Sequence, residues 1–200
     1  MVNYAEYLKQ ENHMIELYCD GACLHNPGGA GAYAFVIVEN GRAYIQEKKG
    51  YRSTTNNRME LMSCIEGLKK CDQLLKHKGT KIFVLSDSKY VVKGAESWVW
   101  RWSRNGWRTK KGNVLNRDLW EELLGLLGKL QNVRFKHVPG HSGYRWNELC
   151  DELAGIAAIG TNLEIDLNYE SQCAQIQAET FFGSERDRPF ARAVELEIYR

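Results

Sequence analysis

Asp20, Glu60, Asp87 and Asp151 are the residues of this 200-residue chain whose settings could do chemistry. Asp20 closes a strand-like pattern and runs straight into turn residues, Gly21, Pro27, Gly28, Gly29 and Gly31. Asp87 closes a second such pattern, while Glu60 and Asp151 fall within helical ones. Taken singly, each has a plain structural reading: aspartate at a strand end forms turns or caps helices, and a glutamate early in a helix favours its dipole. Brought together, four carboxylates would repel and raise one another's pKa unless cations lay between them. Oxygen ligands alone select hard ions such as Mg²⁺, which activate water and stabilise a departing oxygen. The elements that carry the four acids have to decide between these readings.

Ile15, Leu17 and Cys19 alternate with Glu16, Tyr18 and Asp20, the period-two signature of a half-buried strand. Ala30–Val38 follows as a second strand, Asn40-Gly41 supplies the strongest short hairpin signal, and Ala43–Lys49 returns as a third. Thr54, Thr55 and Asn56 lead into Met59, Met62, Ile65 and Leu68 at helical spacing, which predicts a helix to about Lys70 with Glu60 in its first turn. Lys81–Leu85, apolar on both faces, reads as a strand covered on each side and ends in Ser86-Asp87. A short helix over Ser88–Gly94, a second over Ala95–Ser103, a helix from Arg117 to about Leu127, a strand Val133–Val138 and a last helix Arg145–Ile159 complete the pattern. Three strands, helix, strand, helices, strand, helix imply an α/β fold, a mixed sheet with helices packed on it.

At this length one well-buried core is expected. The opening residues MVNYAEYLKQENH read as neither secretory signal nor transit peptide, and no stretch approaches a membrane span, so no membrane partner and a cytoplasmic location are expected. Cys19, Cys23, Cys64, Cys71, Cys150 and Cys173 form no CxxC pair, which favours reduced thiols over disulfides or zinc. The net charge of +2 hides an asymmetry: residues 161–200 carry −4 and residues 1–160 carry +6. A basic body hints at a polyanionic partner.

Five motifs now stand in one order: YCDGACLHNPG around Asp20, TTNNRMEL around Glu60, LSDSKYV around Asp87, VPGHSG with His141, and WNELCDELA around Asp151. With these the chain resembles type 1 ribonuclease H over residues 14–160, leaving 1–13 as an N-terminal extension and 161–200 as an acidic C-terminal extension. The resemblance implies a five-stranded mixed sheet, three antiparallel strands then two parallel, with helices on both faces. It implies an endonuclease that hydrolyses the RNA strand of RNA/DNA hybrids with two Mg²⁺ ions, Mn²⁺ being a substitute, and leaves 5′-phosphate and 3′-hydroxyl ends. Asp20, Glu60, Asp87 and Asp151 would be the metal ligands. His141, on a glycine-flanked loop, would move a proton at the leaving group or help product depart.

By the same resemblance Gly21, Cys23, Asn26 and Asn56 would track the RNA strand, whose 2′-hydroxyl is what tells RNA from DNA. Thr55 and Asn56 would grip a DNA phosphate at a helix N-terminus, and Lys89, where the family often has Gln, would still touch a phosphate or the minor groove. Residues 98–117 hold four of the six tryptophans, six basic residues and no acid. Trp98, Arg101, Trp102, Arg104, Trp107 and Arg108 are therefore expected to bind the DNA strand, although Trp98 and Trp102, four apart, also suit a core-facing stripe. A monomer is expected. The competing readings are a hybrid-binding module without catalysis, disfavoured because all four acids are present, and a transposase, integrase or resolvase of the same fold, disfavoured by the TTNNRMEL helix and the basic segment.

Overall fold

A computed structural model describes residues 14–74 and 80–182. Its main sheet has five strands, β1 (Met14–Cys23), β2 (Gly31–Glu39), β3 (Arg42–Tyr51), β4 (Lys81–Ser86) and, after a small two-stranded hairpin introduced below, β7 (Val133–His137), in the order β3-β2-β1-β4-β7. The first three run antiparallel and β4 and β7 run parallel to β1. This is the mixed sheet expected, and β1 takes its centre.

The period of two in β1 sorts its side chains between two layers. Ile15, Leu17 and Cys19 enter a core beneath α1 (Asn56–Leu74) and α4 (Arg117–Leu130), while Tyr18 joins Val36, Val38 and Leu85 against Cys150 of α5 (Arg145–Ala158). Every residue of β2 is buried, which is what a strand covered on both faces requires. The Asn40-Gly41 turn has positive φ at both residues, 50° and 72°, the primed geometry that matches strand twist. α1 runs one turn beyond the expected Lys70, because Cys71 is fully buried and Leu74 packs on the same core.

The two short helices expected after β4 are α2 (Lys89–Lys93) and α3 (Val99–Arg104), joined by a wider π-type turn over Gly94–Trp98 into one bent run. An aromatic cluster holds it: Trp120 of α4 lies edge-on to Tyr90 and Trp102, with ring centroids 5.2 and 5.5 Å away, and Trp98 lies 5.7 Å from Trp102. The hairpin β5 (Arg108–Thr109) and β6 (Gly112–Asn113) follows.

Residues beyond the last expected helix add an element that periodicity did not reveal, α6 (Leu167–Phe182). Glu164 first pairs with the edge of β3, its N–H donating to the Gly50 carbonyl and its own carbonyl accepting from Arg52 N–H. Asp166, 2% exposed, then caps α6 by accepting from Tyr169 N–H at 3.3 Å. The same carboxylate accepts two bonds from Arg58, at 2.7 and 2.9 Å, and one from Thr54 Oγ1. Arg58, 1% exposed, turns its other edge to Asp118 of α4 at 2.9 and 3.1 Å. Burial pushes the Asp118 carboxyl up, yet the guanidinium more than offsets this and holds it low. Val194, Leu196 and Ile198 alternate with Glu195, Glu197 and Tyr199, a pattern that suits a short edge or partner-binding strand as well as a solvated tail; these residues and the N-terminal extension lie outside the described residues.

This three-way ion cluster ties the start of α1 to α4 and to the C-terminal extension. Arg58→Ala would leave two carboxylates facing each other without their cation, and a loss of about 3–5 kcal/mol of unfolding free energy in urea titration is expected. A loss below about 1 kcal/mol would mean the cluster behaves like an exposed pair.

Candidate active site

The parallel ladder between β1 and β4 sets Tyr18 beside Leu85 and ends there. Two residues further on, Asp20 and Asp87 come abreast at the strand ends, and alternation turns both toward the α5 face. α5 brings Asp151 to that side. α1 lies on the opposite face, and its second turn, not its first, overhangs the end of β1 to deliver Glu60. Gly21 makes the overhang possible: a Cβ there would collide with the backbone of Met59 and Glu60.

Asp20 is 7% exposed; its N–H donates to Ser63 Oγ at 3.0 Å and its Oδ1 accepts from Gly21 N–H at 2.7 Å. Burial, then the charge of Asp87, push its carboxyl up to about 8; Asp151 and Glu60 add to this and the Gly21 bond opposes it. Glu60 is pushed up to about 7, again by burial first, with Asp87 adding and the bonds from Ser88 and Asn56 opposing. Those bonds come from Ser88 Oγ and from Asn56 Nδ2, the latter at 2.9 Å. Asp87 accepts from Asn147 Nδ2 at 3.3 Å, and a Cβ at Gly140 would stand 2.7 Å from its Oδ2. His141, at φ 48° and with its side chain 84% exposed, places Nδ1 3.7 Å from Asp151 Oδ2.

Asp87, Asp151 and Glu60 thus act on Asp20 together, but the four acids do not close into a cage. Among the described residues, no three His, Cys, Asp or Glu groups stand close enough to hold an ion by themselves. Like charges repel, and each carboxylate has a local partner instead. The donor set nonetheless fits a hard divalent cation: it is all carboxylate oxygen, and burial together with the neighbouring acids pushes the Asp20 and Glu60 carboxyls up, which a cation among them would reverse.

The remaining predicted residues fall into two groups. Near the acids, Asn26 Oδ1 accepts from Asn56 N–H at 3.0 Å, and Thr55 caps α1 through Arg58 N–H. The Cys23 thiol donates toward the carbonyls of His25, Gly29 and Thr54, and so braces the loop after β1. Lys89 is exposed at the first position of α2. Further out, Trp98, Arg101, Trp102 and Arg108 line an open groove of about 740 Å³, with Arg104 exposed nearby. Trp102 and Trp107 are only 8% and 7% exposed and belong to the core, so neither ring offers a stacking face; they support the groove, and Arg117 covers the Trp107 ring at 5.6 Å.

A ribonuclease H family model matches residues 12–159. The chain belongs to the ribonuclease H family. Ribonuclease H of Desulforamulus reducens is 45% identical over 155 residues, 76% of this chain and 92% of that one. Ribonuclease H of Idiomarina loihiensis is 43% identical over 145 residues, 72% and 87% of the two chains. Among solved structures, LC9-RNase H1, a type 1 RNase H with the type 2 active-site motif, superposes with a TM-score of 0.65 at 28% identity, covering 86% of each chain. The foamy viral protease-reverse transcriptase, solved in complex with RNA/DNA hybrid, shares the fold at TM-score 0.62 and 17% identity over 80% of this chain and 21% of that one. Membership makes the protein a ribonuclease H enzyme, a metal-dependent family that cleaves the RNA strand of RNA/DNA hybrids. No helix among the described residues is long and apolar enough to cross a membrane.

Sequence reasoning passed over Ser88, Asn147 and Arg58, which orient Glu60, Asp87 and the start of α1. Asn147 had a signal: it lies four residues before Asp151, on the same helical face.

Holding Asp20 protonated sets a pH dependence. Its carboxyl titrates near 3.8 in the unfolded chain and about 8 in the fold, so its contribution is fully present below pH 4 and is lost as pH rises toward 8. In chelator, unfolding free energy should therefore fall between pH 5 and pH 8, and Asp20→Asn should flatten the fall and add about 2 kcal/mol at pH 8. Parallel wild-type and variant curves in urea titrations across that range would refute the assignment.

Proposed function

We propose that the chain is an endonuclease cutting the RNA strand of RNA/DNA hybrids at the centre formed by Asp20, Glu60, Asp87 and Asp151, leaving 5′-phosphate and 3′-hydroxyl ends. The observation that carries this is Asp20, a buried carboxylate that three other acids act upon at the carboxyl ends of parallel strands. Those four residues would hold Mg²⁺, with Mn²⁺ as a substitute. When bound, a pair of such ions supplies an activated water and offsets charge on the leaving oxygen.

The chain's own residues prepare this centre. Ser88 and Asn56 fix the Glu60 carboxylate, and Asn147 fixes Asp87. His141, on its exposed loop beside Asp151, passes a proton to the 3′ oxygen as the bond breaks or helps product depart. Gly21, Cys23, Asn26 and Asn56 follow the RNA strand, Thr55 and Asn56 take a DNA phosphate, and Lys89 makes a further phosphate or minor-groove contact. Arg101, Arg104 and Arg108 hold the DNA strand in the groove above Trp98 and Trp102. The solved foamy viral enzyme with bound hybrid supports this substrate class on the same fold. One chain carries every element of the centre, and all six cysteines are free, as suits a monomer in a reducing cytoplasm.

In Mg²⁺, labelled hybrid should be cut in its RNA strand while duplex DNA and duplex RNA are spared; binding without cutting would favour a non-catalytic module. Asp20→Asn should abolish cleavage yet bind hybrid with near wild-type affinity in a gel-shift assay, and an active variant would remove Asp20 from the centre. Changing Arg101, Arg104 and Arg108 to Ala should raise KM and reduce the log-log salt slope of binding by about 0.9 for each phosphate that is no longer neutralised. An unaltered slope would place those arginines off the substrate.

A further inference from the structure

β7 ends the sheet: among the described residues it pairs with β4 alone. The Asn132 carbonyl and the Val138 N–H, at its two ends, bond β4. By alternation Arg134 and Lys136 also turn their main-chain groups toward β4, and those of Val133, Phe135 and His137 point away from the sheet. Against the same strand lies a groove of about 400 Å³ walled by Trp100, Leu127, Val133 and Phe135, with Glu96 and Gln131 as polar members. Trp100 is 41% exposed, and its indole N–H already donates to the Ala95 carbonyl at 3.2 Å, so what it presents is an apolar ring. We propose that Val194–Ile198 of this chain adds to β7 as a sixth strand and closes the groove.

The two faces of β7 match the two faces of that segment. Val133 and Phe135 stand beside Ile82 and Val84 on the face beneath α1 and α4, while the exposed Arg134 and Lys136 stand beside Phe83 and Leu85 on the other. Val194, Leu196 and Ile198 alternate with Glu195 and Glu197. One facing sets the apolar trio over the groove and both glutamates beside Arg134 and Lys136, where cross-strand opposite charges attract. A one-residue slip would press the glutamates against Trp100 and Glu96, so the register is specified twice over. Arg134 Nη1 donates to the Val133 carbonyl at 3.2 Å, a side-chain substitute for the N–H that a neighbouring strand would bring. A second copy's β7 would place bases opposite bases; this edge deters its own kind and admits an acidic strand.

The chain can reach that far. Gln172 and Ile176 of α6 share a cavity with Leu115 and Asn116, just before α4, whereas the groove meets Leu127 and Gln131 at the other end of α4. The 14 residues of α4 separate the two places by about 20 Å. Residues 183–193, between α6 and the proposed strand, can extend to about 40 Å. Gly183, Ser184 and Pro189 give this stretch the composition of a connection. Tethering supplies a high effective concentration, so a short strand with few contacts can still occupy the edge.

Amide hydrogen exchange of the full chain, followed by NMR, tests this at Phe135 and His137, with Arg134 and Lys136, bonded to β4, as the internal reference. In wild type the Phe135 and His137 amides should be protected. Glu195→Lys with Glu197→Lys should speed their exchange about tenfold and leave the reference amides unchanged. Adding Arg134→Glu with Lys136→Glu should restore the protection, which a merely disordered tail would not do. Leu196→Pro, which removes a strand N–H, should expose the same two amides without any change of charge. Free exchange at Phe135 and His137 in wild type, or protection that survives both the paired lysine variant and Leu196→Pro, overturns the docked strand. Protection that fades on dilution assigns the edge to a second molecule and overturns it equally. No readout involves hybrid, so either result leaves the nuclease reading where it stands.

Discussion

Everything in this protein is arranged around the cost of holding like charges together out of water. Asp20 sits buried toward the end of the central strand of the sheet, next to three other acids, and among the described residues no lysine or arginine is paired with it. It supplies neutral donors instead: Gly21 N–H, Ser88, Asn56 and Asn147. Neutral donors orient carboxylates without satisfying their charge. The centre therefore keeps an appetite for cations that a salt bridge would have removed.

The contrast with Arg58 is instructive. There the fold also buries carboxylates, Asp118 and Asp166, but closes them on a guanidinium, and the result is a joint instead of a site. Arg58 and Glu60 stand only two residues apart at the start of α1, so that helix is clamped by one cluster and presents its glutamate to the other. Rigidity at the clamp is what lets Glu60 overhang β1 in a fixed place.

Much of this was legible in the sequence because the signals were local. Period-two and helical spacing located the strands and the main helices, and Asp20 and Asp87 followed from strand ends that parallel pairing had to bring abreast. What escaped depends on contacts between distant residues. Trp107 looks like an open aromatic among bases, yet its ring is drawn inward to support the hairpin, and no local pattern separates those outcomes. Arg58 reads as one more helix-surface cation until Asp166, 108 residues away, is placed against it. α6 has a weak amphipathic stripe and no clear start signal apart from Asp166, whose capping role is visible only with the fold in hand.

The overhang of α1 above Gly21 and the late arrival of α5 bear on when the chain becomes active. Asp20 and Glu60 lie in the first third of the polypeptide, Asp151 in the last, and the Asp166 that clamps α1 comes later still. A nascent chain on the ribosome can complete its antiparallel strands and α1 long before the fourth acid has left the exit tunnel. The four acids therefore come together only after α5, and the clamp on α1 only after Asp166, has been made.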